Sequence, residues 1–145
     1  MTDTEKILAE RVVAEMMVKD AFSQWLGIVI VDVRPRRAVV RMTVREEMVN
    51  GFGVCHGGIA FSLADSALAF ASNTHGRVTV SIENTITYPK VIAIGDTLTA
   101  TAKEESSTSR LGFYKVTVRR SDDTIVALFK GTVYKTQKSH FPELE

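Results

Sequence analysis

The sequence lacks several features that mark specialised classes of protein. Its 145 residues include a single cysteine, Cys55, so the chain cannot form an internal disulfide. The three histidines are scattered and show no metal-ligand spacing. The formal net charge is only +1, which gives no reason to expect nucleic acid or an anionic membrane as a partner. We therefore predict no disulfide scaffold, no metal site and no nucleic-acid-binding protein.

Long apolar runs and targeting signals are also missing. No apolar run approaches the roughly 20 residues that cross a bilayer. Residues 1–6 (MTDTEK) lack the basic segment, apolar core and cleavage site of a signal peptide. The length fits one domain over residues 1–145, and 45% hydrophobic with 24% charged residues is an ordinary balance for a folded chain. We expect a cytoplasmic protein that spans no membrane.

The hydrophobic pattern predicts an α+β domain in the order helix, two strands, buried helix, four strands. The first helix lies within residues 1–20 and carries an apolar stripe, while the second, over residues 59–73, is hydrophobic almost all round and therefore buried. The predicted strands are residues 28–33, 38–44, 78–88, 98–103, 113–119 and 125–134. We expect a hairpin for the first two strands, an antiparallel meander for the last three, and a loose polar tail over residues 137–145.

The predicted core combines the buried helix with the inward faces of the strands. Its members are Val40, Phe61, Leu63, Leu68, Phe70, Val80, Val116 and Leu128. One buried helix in a chain of this length leaves sheet surface uncovered. We therefore expect an oligomer in which two sheets pair edge to edge, and the stripe of the first helix to pack on its own domain or on a neighbouring subunit.

A glycine-rich loop enters the buried helix at Gly57 and Gly58. Free backbone N–H groups and the positive end of the helix dipole meet at such a point. A negative charge that develops on a carbonyl oxygen would be stabilised there. A glycine pair alone is equally consistent with a tight turn.

Asp65 is the only ionisable residue between Gly58 and Asn73. A carboxylate in so apolar a helix costs several kcal/mol unless it is paired, hydrogen-bonded or facing a cavity. It could attack a carbonyl carbon or act as a base on water, or it could cap a loop or pair with an arginine. For His56 we favour holding the loop over general-base catalysis, and for Cys55 an inert buried thiol over a nucleophile.

These residues form a recognisable signature. The run Asn50…Cys55-His56-Gly57-Gly58-x-x-Phe61-Ser62-Leu63-Ala64-Asp65 resembles that of the hotdog-fold acyl-CoA thioesterases, and more narrowly of the phenylacetic acid degradation (PaaI type) thioesterases. Residues 81–88 (SIENTITY), 95–98 (GDTL) and 111–116 (LGFYKV) extend the resemblance, which covers roughly residues 21–136.

The resemblance implies a hotdog fold, in which an antiparallel sheet wraps around the central helix. It implies a homodimer, often a homotetramer of two dimers, with active sites at the dimer interface. The substrate would be an aryl-acetyl (phenylacetyl or hydroxyphenylacetyl) or medium-chain acyl-CoA, with no cofactor beyond the coenzyme A of the substrate and no metal. A non-catalytic acyl-CoA-binding protein is the alternative.

Roles for individual residues follow from the same resemblance. Asp65 would be the nucleophile or general base and the Gly57 N–H the oxyanion donor. Asn50 would position the attacking water, His56 would support the loop, and Ser81 would lie near that water. The implied substrate-binding residues are Gly58, Phe61, Ser62, Lys90 and Arg110, with Lys103 and Lys115 as further candidates for the phosphates of coenzyme A.

The sequence departs from the family at Tyr88-Pro89-Lys90, where many relatives carry an arginine-proline pair. This departure leaves the acyl group open. A hydratase of the same fold is disfavoured, because its loop usually contains a proline and none lies between Pro35 and Pro89.

Overall fold

A six-stranded antiparallel sheet covers one long helix. The computed structural model describes residues 1–144. The helices are α1 (Asp3–Lys19), α2 (Ala21–Leu26) and α3 (Gly57–Asn73), with 3₁₀ turns at Glu46–Met48 and Pro142–Leu144. The strands are β1 (Val29–Arg34), β2 (Arg37–Thr43), β3 (Arg77–Thr87), β4 (Thr97–Ser107), β5 (Leu111–Arg120) and β6 (Ile125–Ser139). The order β1-β2-β4-β5-β6-β3 places β1 and β3 at the edges of the sheet.

The predicted α+β architecture is confirmed. The first two strands form a hairpin, and β4, β5 and β6 form an antiparallel meander. Helix α1 begins with a capping box in which Thr2 and Glu5 satisfy each other's backbone N–H groups. None of the helices within residues 1–144 is both long and apolar enough to cross a membrane.

Most of the predicted core is confirmed. Five of its members are fully buried: Val40, Leu63, Leu68, Phe70 and Val116. Phe61 is partly buried and packs edge-on against Phe129, with 5.3 Å between the ring centroids.

Val80 and Leu128 were wrongly assigned to the core, since they are 48% and 39% exposed. Leu128 precedes the buried Phe129, so strand alternation turns it to the outer face. Val80 lies opposite the outward-facing Tyr134, and an irregularity in β3 between Ser81 and Glu83 shifts the alternation. Asn84 and Ile86 therefore face the helix instead.

The C-terminal end of the chain is ordered further than we predicted. Strand β6 continues to Ser139, which pairs with Arg77. The side chain of Phe141 is 8% exposed and lies 3.9 Å beneath the Arg11 guanidinium. The prediction of a loose tail is thus wrong for residues 137–141, because β6 continues to Ser139, the His140 ring hydrogen-bonds Asn73 and Phe141 packs against Arg11. Glu145 lies outside the described residues.

Helix α2 was not predicted. Its six residues follow Asp20, whose carboxylate accepts a hydrogen bond from the Ser23 N–H at 2.9 Å. Gly27 ends the helix in the left-handed conformation (φ 77°). No helix was predicted for this segment because six residues are too few to show helical periodicity.

Candidate functional site

The first turn of α3 presents a free backbone donor. His56 is the N-cap, and its Nδ1 accepts a hydrogen bond from the Gly58 N–H at 3.0 Å. The Gly57 carbonyl oxygen accepts from the Tyr88 hydroxyl at 2.8 Å, whereas the Gly57 N–H donates to none of residues 1–144. The Gly57 N–H therefore lies at the positive end of the helix dipole and is available to a ligand.

The loop before α3 is held by Asn50. Its side-chain oxygen accepts from the Phe52 N–H at 2.9 Å and the Val54 N–H at 3.4 Å. Its backbone N–H donates to the Val54 carbonyl at 2.8 Å. The side-chain amide nitrogen donates to none of the described residues, so Asn50 both shapes the loop and keeps a donor for a ligand or water.

Asp65 lies two turns further along α3. The carboxylate is partly buried, and its Oδ1 accepts a hydrogen bond from Asn84 Nδ2 at 3.3 Å. Burial raises the pKa of Asp65, the Asn84 hydrogen bond opposes that rise, and the nearby Asp20 carboxylate adds to it. A carboxyl group with these properties is suited to nucleophilic or general-base chemistry.

Sequence reasoning missed Asn84 and Tyr88 as site residues. For Asn84 a signal was present, since it is the polar residue that interrupts the apolar positions of β3. For Tyr88 only the departure from the family pattern pointed to the position. Its contact with Gly57 joins segments 31 residues apart, which no local pattern indicates.

Gly57 and Asp65 are separated within one chain. Asp65 lies eight residues after Gly57 on the same helix, which corresponds to about 12 Å along the helix axis. One carbonyl group cannot contact both the Gly57 N–H and the Asp65 carboxylate of a single chain. The two predicted groups are not brought together within the protomer.

The remaining predicted residues are dispersed. Ser62 is partly buried, and its hydroxyl donates to the Gly58 carbonyl oxygen at 2.7 Å, within the helix. The Gly58 N–H is already bonded to His56, and the Phe61 ring packs on Phe129. Ser81 is exposed on β3 opposite Val133, and its hydroxyl forms no hydrogen bond with Asp65.

A surface cavity of about 290 Å³ opens beside Gly57 and is lined by residues 54–57 and 88–92. Lys90 is part of this lining. Cys55 is also at the wall, but burial, with a smaller effect of Asp96, raises the pKa of its thiol to about 11. The thiol is therefore protonated near neutral pH, which is the inert state that we favoured.

The other basic candidates lie away from this cavity. Arg110 precedes β5 at the end of the sheet where β3 begins, whereas Lys90 follows the far end of β3. Lys103 and Lys115 are directly opposite each other on β4 and β5 and are both exposed. Lys90 and Arg110 therefore do not form one phosphate site within the protomer.

Comparison with known proteins gives the family. The sequence model of the thioesterase superfamily matches residues 52–127. Acyl-coenzyme A thioesterase PaaI of Escherichia coli K12 is 40% identical over 120 residues, which are 83% of this chain and 86% of that protein.

Solved structures agree with the sequence comparison. The E. coli PaaI protein from the phenylacetic acid degradation operon superposes with a TM-score of 0.90 at 36% identity, over 92% of this chain and 97% of that one. A Streptococcus mutans UA159 protein bound to acetyl CoA superposes with a TM-score of 0.74 at 26% identity, over 77% and 90% of the two chains. This chain therefore belongs to the thioesterase superfamily and is a hotdog-fold thioesterase of the PaaI type.

Proposed function

We propose that the protein hydrolyses an acyl-CoA thioester to the free acid and coenzyme A, with Asp65 as nucleophile or general base and the Gly57 N–H as oxyanion donor. The observation that carries this proposal is the partly buried Asp65 carboxylate on a helix whose first N–H is free. Each group supplies one of the two functions that thioester hydrolysis needs.

The chemistry makes few demands on the protein. As a base, Asp65 would take a proton from water while the oxygen attacks the carbonyl carbon; as a nucleophile, it would form an anhydride that water then cleaves. In both routes the C–S bond breaks and coenzyme A leaves as a thiolate. Because an ordinary thiol has a pKa of about 8.5, the leaving group needs little acid assistance. Neither route requires a metal or a cofactor beyond the substrate.

A second copy of the chain would complete the site. Gly57 and Asp65 of one chain are too far apart along α3 to act on one carbonyl, so the Gly57 loop of one subunit would act with Asp65 of the other. Asp65 contacts Asn84 on the edge strand β3. That strand exposes Val80 and Ile82, and an unpaired edge of this kind favours association with another strand. We propose a dimer joined along β3, and a tetramer of two such dimers.

The supporting residues follow from their contacts. Asn50 keeps a free amide donor for the attacking water, and His56 holds the helix start that carries the oxyanion donor. Ser81 would reach that water only in the dimer. Lys90 lines the cavity beside Gly57 and is the basic residue best placed for the substrate. Gly58, Phe61 and Ser62 are not part of this lining and would contact the substrate only in the assembled dimer.

We propose an aryl-acetyl substrate, phenylacetyl- or hydroxyphenylacetyl-CoA, with medium-chain acyl-CoA as the second class. The similarity to the protein from the phenylacetic acid degradation operon supports the aromatic class, and the similarity to the acetyl CoA-bound protein supports coenzyme A as the carrier. A cytoplasmic location remains a prediction from the sequence.

The test is thiol release from phenylacetyl-, hydroxyphenylacetyl-, benzoyl- and fatty acyl-CoA, followed with a colorimetric thiol reagent. Asp65→Asn should keep the fold and lower kcat by about 10²-fold or more, because it removes the nucleophile or base. Equal rates for wild type and Asp65→Asn would defeat the assignment. Tight binding of the same compounds without release would identify an acyl-CoA-binding protein instead.

A further inference from the structure

Asn84 contacts the proposed catalytic carboxylate but has no part in the chemistry proposed for Asp65 and Gly57. Its Nδ2 donates to Asp65 Oδ1 at 3.3 Å. This is the hydrogen bond that the Asp65 side chain receives from residues 1–144, and Oδ2 receives none. The two carboxylate oxygens are therefore inequivalent: one is anchored to β3 and the other is free.

The Asn84 side chain fits between the sheet and the helix because its neighbour on β6 is a glycine, which has no side chain. Asn84 lies directly opposite Gly131 on β6. A Cβ atom on Gly131 would lie 2.8 Å from Asn84 Oδ1 and 2.5 Å from Leu68 Cδ2, both closer than atoms of this kind approach. Glycine at position 131 thus leaves the gap between sheet and helix that the Asn84 amide fills.

Charge fixes the orientation of the amide. Reversing it would place Asn84 Oδ1 against Asp65 Oδ1, two acceptors without a proton between them. In the observed orientation Asn84 Oδ1 is buried and accepts no hydrogen bond from residues 1–144. A buried acceptor without a partner is unfavourable, so its presence here is explained if the donor on the same amide is needed by Asp65.

We propose that Asn84 is a positioning residue that holds Asp65 Oδ1 and leaves Oδ2 as the oxygen that attacks the thioester or takes a proton from water. This inference rests on the proposed role of Asp65. Anchoring one oxygen restricts rotation of the carboxylate, whose terminal torsion is otherwise broad. The reacting oxygen is then presented in one direction before substrate binds.

The first test is kinetic. Asn84→Leu keeps the approximate size of the side chain and removes the donor, and should lower kcat about 10- to 100-fold through loss of orientation. KM should change by less than about threefold, since the proposed role of Asn84 is to orient Asp65 and not to bind the substrate. The acid limb of the kcat/KM profile should move to higher pH, because the lost hydrogen bond favoured the ionised form of Asp65. The Asp20 carboxylate, which also acts on Asp65, is the same in both proteins.

The matched control is Thr43→Val, an exposed threonine on β2, which is not at the proposed dimer edge. Its kcat and pH profile should superpose on those of the wild type. If Asn84→Leu does not fold, Asn84→Asp replaces it: this variant keeps the shape, sets a second carboxylate against Asp65, and should shift the acid limb further in the same direction.

The second test needs no turnover. Carbon-13 NMR of protein labelled at the aspartate carboxyl carbons gives the titration midpoint of Asp65, whose signal is the one missing from Asp65→Asn. A higher midpoint in Asn84→Leu than in wild type supports the inference. An unchanged midpoint, or an unchanged kcat and acid limb in folded Asn84→Leu, overturns it. Equal thiol release by wild type and Asp65→Asn would instead defeat the proposed function. The titration midpoint of Asp65 would still show whether Asn84 donates its hydrogen bond, so the two failures are distinguishable.

Discussion

At the scale of single residues, Asp65, the proposed catalytic carboxylate, also couples stability to pH. Burial raises its pKa in the folded protein above the value in the unfolded chain. Between the two values the folded state binds more protons, so this group makes stability fall as pH rises from the ordinary carboxyl value through the raised one. The loss is complete above the raised value and absent below the ordinary one.

Asp65→Asn should remove this pH-dependent loss of stability, because asparagine does not titrate. The difference in unfolding free energy between Asp65→Asn and wild type should therefore grow in favour of the variant as pH rises through this window, and then level off. Chemical denaturation of both proteins across the acid range measures it. Other titrating groups are common to both chains and cancel in the difference. A difference that stays constant with pH would show that Asp65 titrates normally in the folded protein.

Gly131 is packed too closely against helix α3 and Asn84 to accept a larger residue. An alanine there meets Leu68 and Asn84 at distances no relaxed structure allows, so the helix or the amide must shift. Gly131→Ala should destabilise the fold by about 1–3 kcal/mol, the usual effect of overpacking. Gly51→Ala is the control, because a Cβ at Gly51 meets nothing within 4 Å. Equal midpoints of urea denaturation for the two variants would contradict the packing described.

At the scale of elements, the stability of α3 depends on the N-cap of its first turn. His56 caps the helix through Nδ1, which satisfies the Gly58 N–H. His56→Ala should lower the unfolding free energy by about 1 kcal/mol, and His56→Asn should restore most of it, because asparagine is among the best N-cap residues. Thermal denaturation distinguishes them. If both variants lose the same stability, the histidine ring acts through packing and not through its hydrogen bond.

The elements also show which parts of the structure can be predicted from sequence. Helix α3 and the position of Asp65 were predictable, because a long apolar helix with one carboxylate is a strong local pattern. The orientation of Asn84 was not, since the irregularity between Ser81 and Glu83 that turns it inward depends on pairing with β6. The contact of Phe141 with Arg11 likewise joins the two ends of the chain. Local patterns therefore predicted the helix and its carboxylate. Contacts that depend on strand register or that join distant segments could not be predicted from such patterns.

At the scale of the whole molecule, the protomer carries both groups of the proposed active site without bringing them together. The free Gly57 N–H and the Asp65 carboxylate lie at different levels of one helix, about 12 Å apart along its axis. Asp65 adjoins the edge strand β3, which leaves one side of its backbone unpaired. The chain belongs to the thioesterase superfamily and has the hotdog fold. The proposed chemistry and the proposed assembly both depend on whether the active site is shared between chains.

Complementation between two inactive variants tests directly whether the proposed active site is shared between two chains. Asp65→Asn removes the carboxylate, and Gly57→Pro removes the N–H at the first helical position, where proline is well tolerated. His56 already has the extended conformation that precedes proline (φ −62°, ψ 134°), and the Tyr88 hydroxyl, 3.1 Å from a Cβ at Gly57, must move slightly. Each variant alone should be inactive in thiol release.

In a shared site, a mixed dimer contains one active site with an intact Gly57 from one chain and an intact Asp65 from the other. Random pairing of the co-expressed variants should then restore about a quarter of the wild-type activity. If both groups act within one chain, every site in the mixture is damaged and no activity returns. Co-expression of Asp65→Asn with wild type gives the activity expected from dilution alone. Activity no greater than that of the separate variants, in a mixture shown by native mass spectrometry to contain mixed dimers, would exclude an active site shared in this way.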